Sequence, residues 1–201
     1  MSHEIELKLT LPQKALPALR RHPLIADAPR DGRACTLENT YFDTVDLELR
    51  ERRMAVRTRK AGNRWLQTVK CAAESVGGLS ARPEWEQPYA NACFDFSAID
   101  RDDVRRRLEA LQPQLVPVFT THFRRETVVL TPREGVKVLA MIDNGHIEAA
   151  GRNLPLCELE LELVEGDPTE LYTLALQLAE TLPLTPENVS KAERGYRLFS
   201  N

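Results

Sequence analysis

Within the segment Leu156-Cys157-Glu158-Leu159-Glu160-Leu161-Glu162-Leu163-Val164, glutamate alternates with apolar residues from Cys157 to Leu163. A period of two puts the leucines on one face of a β-strand and the carboxylates on the other. Glu4-Ile5-Glu6-Leu7-Lys8-Leu9 repeats the device near the N-terminus. It recurs between the two: Arg57 with Arg59, Thr68 with Lys70, Glu84 with Glu86 and Arg125 with Thr127 each share one face of a strand. One such strand would be an ordinary half-exposed strand with its charges in water. Repeated on many strands, some acidic and some basic, the pattern gains nothing from an open sheet, where several Glu along one strand repel each other. A closed antiparallel barrel gives the charged faces a destination. Closure removes the edges, encloses an ionic, water-accessible lumen and leaves the apolar faces outward, to be covered by helices.

The remaining elements fit this α+β plan. Leu37 to Asp43 reads as a strand ending at a turn, and Met54–Lys60 and Arg64–Lys70 form a hairpin about Ala61-Gly62-Asn63. The Gly77-Gly78 turn leads to Arg82-Pro83-Glu84-Trp85-Glu86, and further strands span Phe119 to Leu130 and Val136 to Asp143. Pro12 and Pro17 bracket a short helical pattern running to about Arg21. Asp100 to Leu111 is helical, with Val104, Leu108 and Leu111 on one face and Arg105-Arg106-Arg107 on a solvated one. Asp167-Pro168-Thr169-Glu170 supplies an N-cap, a proline at the first helical position and a capping-box Glu ahead of Leu171, Leu174, Leu178 and Leu182. A short helix is expected around Ser190 to Arg197.

The chain has 201 residues, with 27 Lys+Arg against 30 Asp+Glu, a formal charge of 27 − 30 = −3. It is 42% apolar and 28% charged, which suits one soluble domain over residues 1–201 and argues against disorder. The near-neutral total argues against bulk nucleic-acid binding. No apolar run reaches membrane-spanning length, and Met1-Ser2-His3-Glu4-Ile5-Glu6 is charged where a signal peptide is apolar, so a cytoplasmic protein with no membrane partner is expected. Cys35, Cys71, Cys93 and Cys157 show neither a zinc nor a redox spacing and read as reduced core residues.

A lumen lined by Arg and Lys favours a polyanion, because guanidinium–phosphate bonds are charge-assisted and often bidentate. Clustered carboxylates without His or Cys favour a hard divalent cation, Mg²⁺ or Mn²⁺. Together they point to a metal–polyphosphate complex. No GxxxxGK[ST] loop is present, so P-loop chemistry is excluded.

Glu4-Ile5-Glu6-Leu7-Lys8 matches an ExExK signature. Tyr41-Phe42-Asp43-Thr44, Arg57-x-Arg59, Lys70, Arg82-x-Glu84-x-Glu86, Arg125, Asp143, the Glu-x-Glu-x-Glu strand and Ser190-Lys191-x-x-Arg194-Gly195-Tyr196 follow in order. In this ordered set, which covers essentially the whole chain, the sequence resembles the CYTH superfamily, the triphosphate tunnel metalloenzymes. Gly77-Gly78-Leu79, Arg82-Pro83-Glu84 and the Cys157–Glu162 run are most similar to bacterial inorganic triphosphatases. Many of those continue into a histidine-rich helical (CHAD) domain, whereas this sequence stops at Asn201.

The resemblance implies a closed eight-stranded antiparallel tunnel with flanking helices. It also implies Mg²⁺- or Mn²⁺-dependent hydrolysis of inorganic triphosphate (tripolyphosphate) to pyrophosphate and phosphate. By the same resemblance Glu4 and Glu6 are metal ligands, joined by one or two of Glu158, Glu160 and Glu162, with Glu160 and Glu162 favoured. Asp143 is a further candidate ligand, and Glu84 and Glu86 complete the acidic lining, binding a second metal or orienting water. Lys8, Arg57, Arg59, Lys70, Arg125, Lys191 and Arg194 hold phosphate oxygens, and Lys8, Lys70, Arg125 and Lys191 are the catalytic candidates. Some members carry a Lys two residues before the position of Arg125; Phe123 stands there in this chain. The substrate implied is a small polyphosphate, and a homodimer is compatible with the family. A class IV adenylate cyclase, a thiamine or nucleoside triphosphatase, and a non-catalytic polyphosphate-binding module are the alternatives.

Overall fold

A computed structural model describes residues 2–71, 75–90 and 93–200. Eight strands form the wall: β1 (Ser2–Thr10), β2 (Cys35–Asp43), β3 (Met54–Ala61), β4 (Arg64–Cys71), β5 (Leu79–Pro88), β6 (Val116–Leu130), β7 (Lys137–Ala149) and β8 (Arg152–Glu165). All pairings are antiparallel, and they close in the order β1-β8-β7-β6-β2-β3-β4-β5, with β5 returning to β1. Two-residue strands at Ser75–Val76 and Thr185–Pro186 add to the rim at β5 and β1. The closed antiparallel barrel is the one expected from the alternating segments, and its eight strands are the number the family resemblance implies.

Register follows from burial. Leu7 pairs with Leu161 and Leu9 with Leu159 on the outward face, while Lys8 pairs with Glu160 and Glu6 with Glu162 on the inward face. A slip of one residue would exchange the two sets. The outward leucines are covered by α1 (Leu16–Arg21), α2 (Pro23–Ala26) and α5 (Thr169–Ala179), whose Leu16, Leu19, Ile25, Leu171, Leu174 and Leu178 join one apolar core with Leu159 and Leu161. Fully burying a leucine contributes about 1.5–3 kcal/mol. A second core lies where α4 (Asp102–Leu111) sets Val104, Leu108 and Leu111 against Val56, Val69 and Trp85. The arginines of α4 stay on its solvated side, Arg105 and Arg106 pairing with Asp102.

Several local expectations are corrected. The β7 strand runs past Asp143 to Ala149, and β8 begins at Arg152, because Ala150 (φ 49°) and Gly151 (φ 73°) make a two-residue hairpin turn. The capping box at α5 is half formed. Asp167 Oδ1 accepts the Thr169 N–H at 2.9 Å, while Glu170 turns away to Arg133. Of the four cysteines expected in the core only Cys157 is buried; Cys71 is half-buried and Cys35 and Cys93 are exposed. No helix among the described residues is long and apolar enough to cross a membrane.

Candidate active site

The inward faces enclose a cavity of about 460 Å³, lined from β1 by Glu6 and Lys8, from β3 by Arg57 and Arg59, and from β4 and β5 by Lys70 and Arg82. Arg125 of β6, Glu160 of β8 and Lys191 at the start of α6 (Lys191–Ser200) also line it. Ser190 Oγ caps α6 by accepting the Glu193 N–H at 3.1 Å. Gly195 lets the helix lie on the Phe119 ring, which a Cβ there would approach to 2.2 Å.

The acids fall into two groups. Asp143, Glu158 and Glu160 bring carboxylate oxygens within 4.8 Å of one another, a spacing that could hold a cation. In this structure the chain's own cations fill that role. Lys191 Nζ lies 2.8 Å from Asp143 Oδ2 and 2.8 Å from Glu160 Oε1, and it also pairs with Glu158. Arg125 grips Asp143 bidentately at 2.7 and 2.6 Å and reaches Glu160 Oε2 at 2.6 Å, while Arg194 pairs with Glu158. Burial opposes charge on Glu160, but Lys191 and Arg125 reverse it and hold that carboxyl well below the usual range. Burial also opposes charge on Lys191, and the three acids around it keep its ammonium protonated far above the ordinary lysine value. Phe123 lies under this knot, with Lys191 Nζ 5.1 Å and the Arg125 guanidinium 5.6 Å from its ring centroid.

The second group is Glu4, Glu6, Glu84 and Glu162. Lys70 Nζ pairs with Glu4 and Glu84, both at 2.8 Å, and Arg82 pairs with Glu4 at 3.0 Å and Glu6 at 2.6 Å. Burial would raise the Glu4 carboxyl; Lys70 and Arg82 more than reverse this and hold it well below its ordinary value. Glu162 has no ion pair among the described residues. Burial, with Glu4, Glu6 and Glu84 nearby, pushes it up to about 7. Glu6 and Glu162 stand directly opposite each other on adjacent strands, a like-charged pair that costs free energy unless a cation joins it.

Cations are in excess on the facing wall. β3 lies four strands from β8 in the circuit of eight, hence across the lumen. Arg57 donates to Tyr41 Oη at 3.4 Å, and its buried Nε has no partner among the described residues. Arg59 donates to Asn39 Oδ1 at 2.8 Å, and its one ion-pair partner among the described residues is Glu86, 3.9 Å away. Burial and the nearby Arg57 and Arg125 lower Arg59 to about 10. Lys8 is buried with no ion pair among the described residues. Glu86 is exposed and accepts from Thr68 Oγ1 at 3.0 Å.

Of the candidate residues, Glu6, Lys8, Arg57, Arg59, Lys70, Arg125, Glu160 and Lys191 line the cavity, Glu4, Glu84, Asp143, Glu158 and Arg194 are joined to them by ion pairs, and Glu86 is exposed; the lining adds Arg82, which sequence reasoning left without a role. Its signal was its alternation with Glu84 and Glu86; its register opposite Glu4 was not readable locally.

Residues 2–196 match the CYTH domain family. The chain belongs to that family. An inorganic triphosphatase of Haemophilus influenzae is 30% identical over 211 residues, covering 100% of this CYTH chain and 56% of that protein. The chain therefore spans about half the length of this curated relative. Among solved structures, a proposed adenylyl cyclase from Hippeastrum with a dominant triphosphatase activity superposes with a TM-score of 0.67 at 19% identity, covering 98% of this chain and 96% of that one. A protein of Pyrococcus horikoshii OT3 gives a TM-score of 0.60 at 18% identity, covering 96% and 98%. These two likenesses are of the CYTH fold.

Proposed function

We propose that this CYTH domain hydrolyses inorganic triphosphate to pyrophosphate and phosphate with Mg²⁺ or Mn²⁺. The observation that carries the reading is the division of charge across the lumen: on one wall Arg57, whose buried Nε has no partner among the described residues, and Arg59, whose one ion-pair partner among them is Glu86 at 3.9 Å; on the other the Glu162 carboxylate, with no ion pair among the described residues and Glu6 directly opposite. A polyphosphate chelating a divalent cation complements both walls at once. The all-oxygen donor set of Glu4, Glu6 and Glu162 fits a hard cation: Glu4 and Glu6 are held by Lys70 and Arg82 and Glu162 has no ion pair among the described residues, whereas Asp143, Glu158 and Glu160 are closed together by Lys191, Arg125 and Arg194. When bound, the ion polarises phosphate oxygens and neutralises developing charge.

The chain's own residues do the rest. Arg57, Arg59 and Lys8 hold the oxygens of the chain in line for attack by water at a terminal phosphorus. Arg125, Lys70 and Lys191 stabilise charge as pyrophosphate leaves. The triphosphatase relative from Haemophilus influenzae supports this choice of substrate.

The test is phosphate release by purified protein from tripolyphosphate, ATP and thiamine triphosphate side by side, with Mg²⁺ or Mn²⁺ and with EDTA. The expected result is EDTA-sensitive release from tripolyphosphate well above the others. Preference for an organic triphosphate, or conversion of ATP to cyclic AMP, would replace the substrate and keep the fold.

A further inference from the structure

Arg82 bridges the two acids of β1. Its Nε donates to Glu4 Oε2 at 3.0 Å and its Nη2 to Glu6 Oε1 at 2.6 Å. The register explains the reach: Arg82 pairs with Glu4, and Ser80, two residues earlier, pairs with Glu6. The planar guanidinium meets the two carboxylates through separate N–H groups of one rigid fork, Nε on Glu4 and Nη2 on Glu6. The side chain is 14% exposed and lines the cavity, so the same fork can turn to a ligand there.

We infer that Arg82 is a resident counter-cation. It holds Glu4 and Glu6 in ligating positions while they carry no divalent ion, yields their oxygens to that ion, and turns into the cavity to take a phosphate oxygen as its new partner. The inference rests on the reading of Glu4 and Glu6 as metal ligands. Without Arg82, Glu4, Glu6 and the nearby Glu162 would repel one another. With it, an entering divalent ion competes for oxygens already bonded. Because polyphosphate supplies the displaced guanidinium with a partner, ion and polyphosphate bind cooperatively, each raising the affinity of the other by the same factor.

Calorimetric titration with Mn²⁺ alone tests this on the wild type, Arg82→Met and Arg82→Lys. Removing a buried positive charge beside the ion should make Arg82→Met bind Mn²⁺ roughly tenfold more tightly, while Arg82→Lys stays near wild type. The metal-free Arg82→Met protein should melt lower than wild type, and saturating Mn²⁺ should close that gap. Unchanged or weaker binding by folded Arg82→Met overturns the inference and leaves the metal-ligand reading standing. Absence of Mn²⁺ binding in wild type and Arg82→Met alike removes that reading, and the inference with it. If Arg82→Met does not fold, the wild type decides. Its Arg82 Nε–H resonance, assigned by its loss in Arg82→Lys, should shift on titration with Mg²⁺; a resonance that does not move is the refutation.

Discussion

The Tyr196 hydroxyl donates to Asp43 Oδ2 at 2.8 Å, joining residues 153 positions apart. Asp43 is fully buried, and its other bonds come from the backbone N–H groups of Thr44 (2.7 Å), Leu49 (2.8 Å) and Arg50 (3.0 Å). One carboxylate therefore fixes the short helix α3 (Glu48–Glu51) at the end of β2 and ties α6, with Lys191 and Arg194, to the barrel. Burial and the neighbouring Asp43 push the Tyr196 phenol above its ordinary range, so it stays a donor. Tyr196→Phe should cost about 1–3 kcal/mol in urea unfolding. Asp43→Ala, which orphans three backbone donors as well, should cost more. Equal stability of wild type and both variants would show that the tie does not hold α6.

Glu4→Ala and Glu6→Ala should each lower metal-dependent turnover of tripolyphosphate roughly a hundredfold to a thousandfold, with the circular dichroism spectrum unchanged. The assay is kcat at saturating Mg²⁺. Near-wild-type turnover there would remove these carboxylates from the ion's ligand set.

Glu162 carries a pH dependence with a definite sign. Its folded-state value lies at about 7 against an ordinary 4.5, so the folded protein binds the extra proton more tightly than the unfolded chain. Its contribution to metal-free stability is therefore full below about 4.5 and is lost as pH rises through 7. Affinity for Mn²⁺ should change the other way, rising through the same range as the carboxylate becomes available. Isothermal titrations at pH values reaching roughly one to two units either side of that midpoint should show this rise in the wild type and a flatter profile in Glu162→Gln.

Gly195→Ala adds a methyl where Phe119 ring atoms lie 2.2–2.6 Å from the Cβ position. Alanine favours helix, yet the clash should dominate and destabilise by about 1–3 kcal/mol. Because α6 carries Lys191 and Arg194, turnover should fall as well. Pairing it with Phe119→Leu should restore part of both; thermal melts and kcat of the double variant measure the rescue.

The strands were legible because period two is a local property. Glu4–Leu9 and Leu156–Val164 specify by themselves which face is ionic, and the repetition of that device required a closed wall. Where local signals conflict the reading stopped short. Pro155 and the Ala150-Gly151 turn hid the first residues of β8, and Asn144-Gly145, a turn-like pair, hid the continuation of β7 through His146-Ile147-Glu148-Ala149, whose Ile147 and Ala149 are buried in the apolar cluster that includes Tyr196.

The candidate charges were readable as a list, and the list does not say which charge meets which. Barrel closure brought Arg82 to Glu4 and Glu6, and the packing of α6 put Lys191 among Asp143, Glu158 and Glu160. Sequence alone determined the wall, the sign of the charges on its inner face and the chemical class of ligand that face suits, because alternation and charge are written residue by residue. Tertiary structure alone decided which carboxylates are already neutralised and which still need a cation. That depends on the register between strands and on a helix from the end of the chain, contacts that no local window of sequence contains.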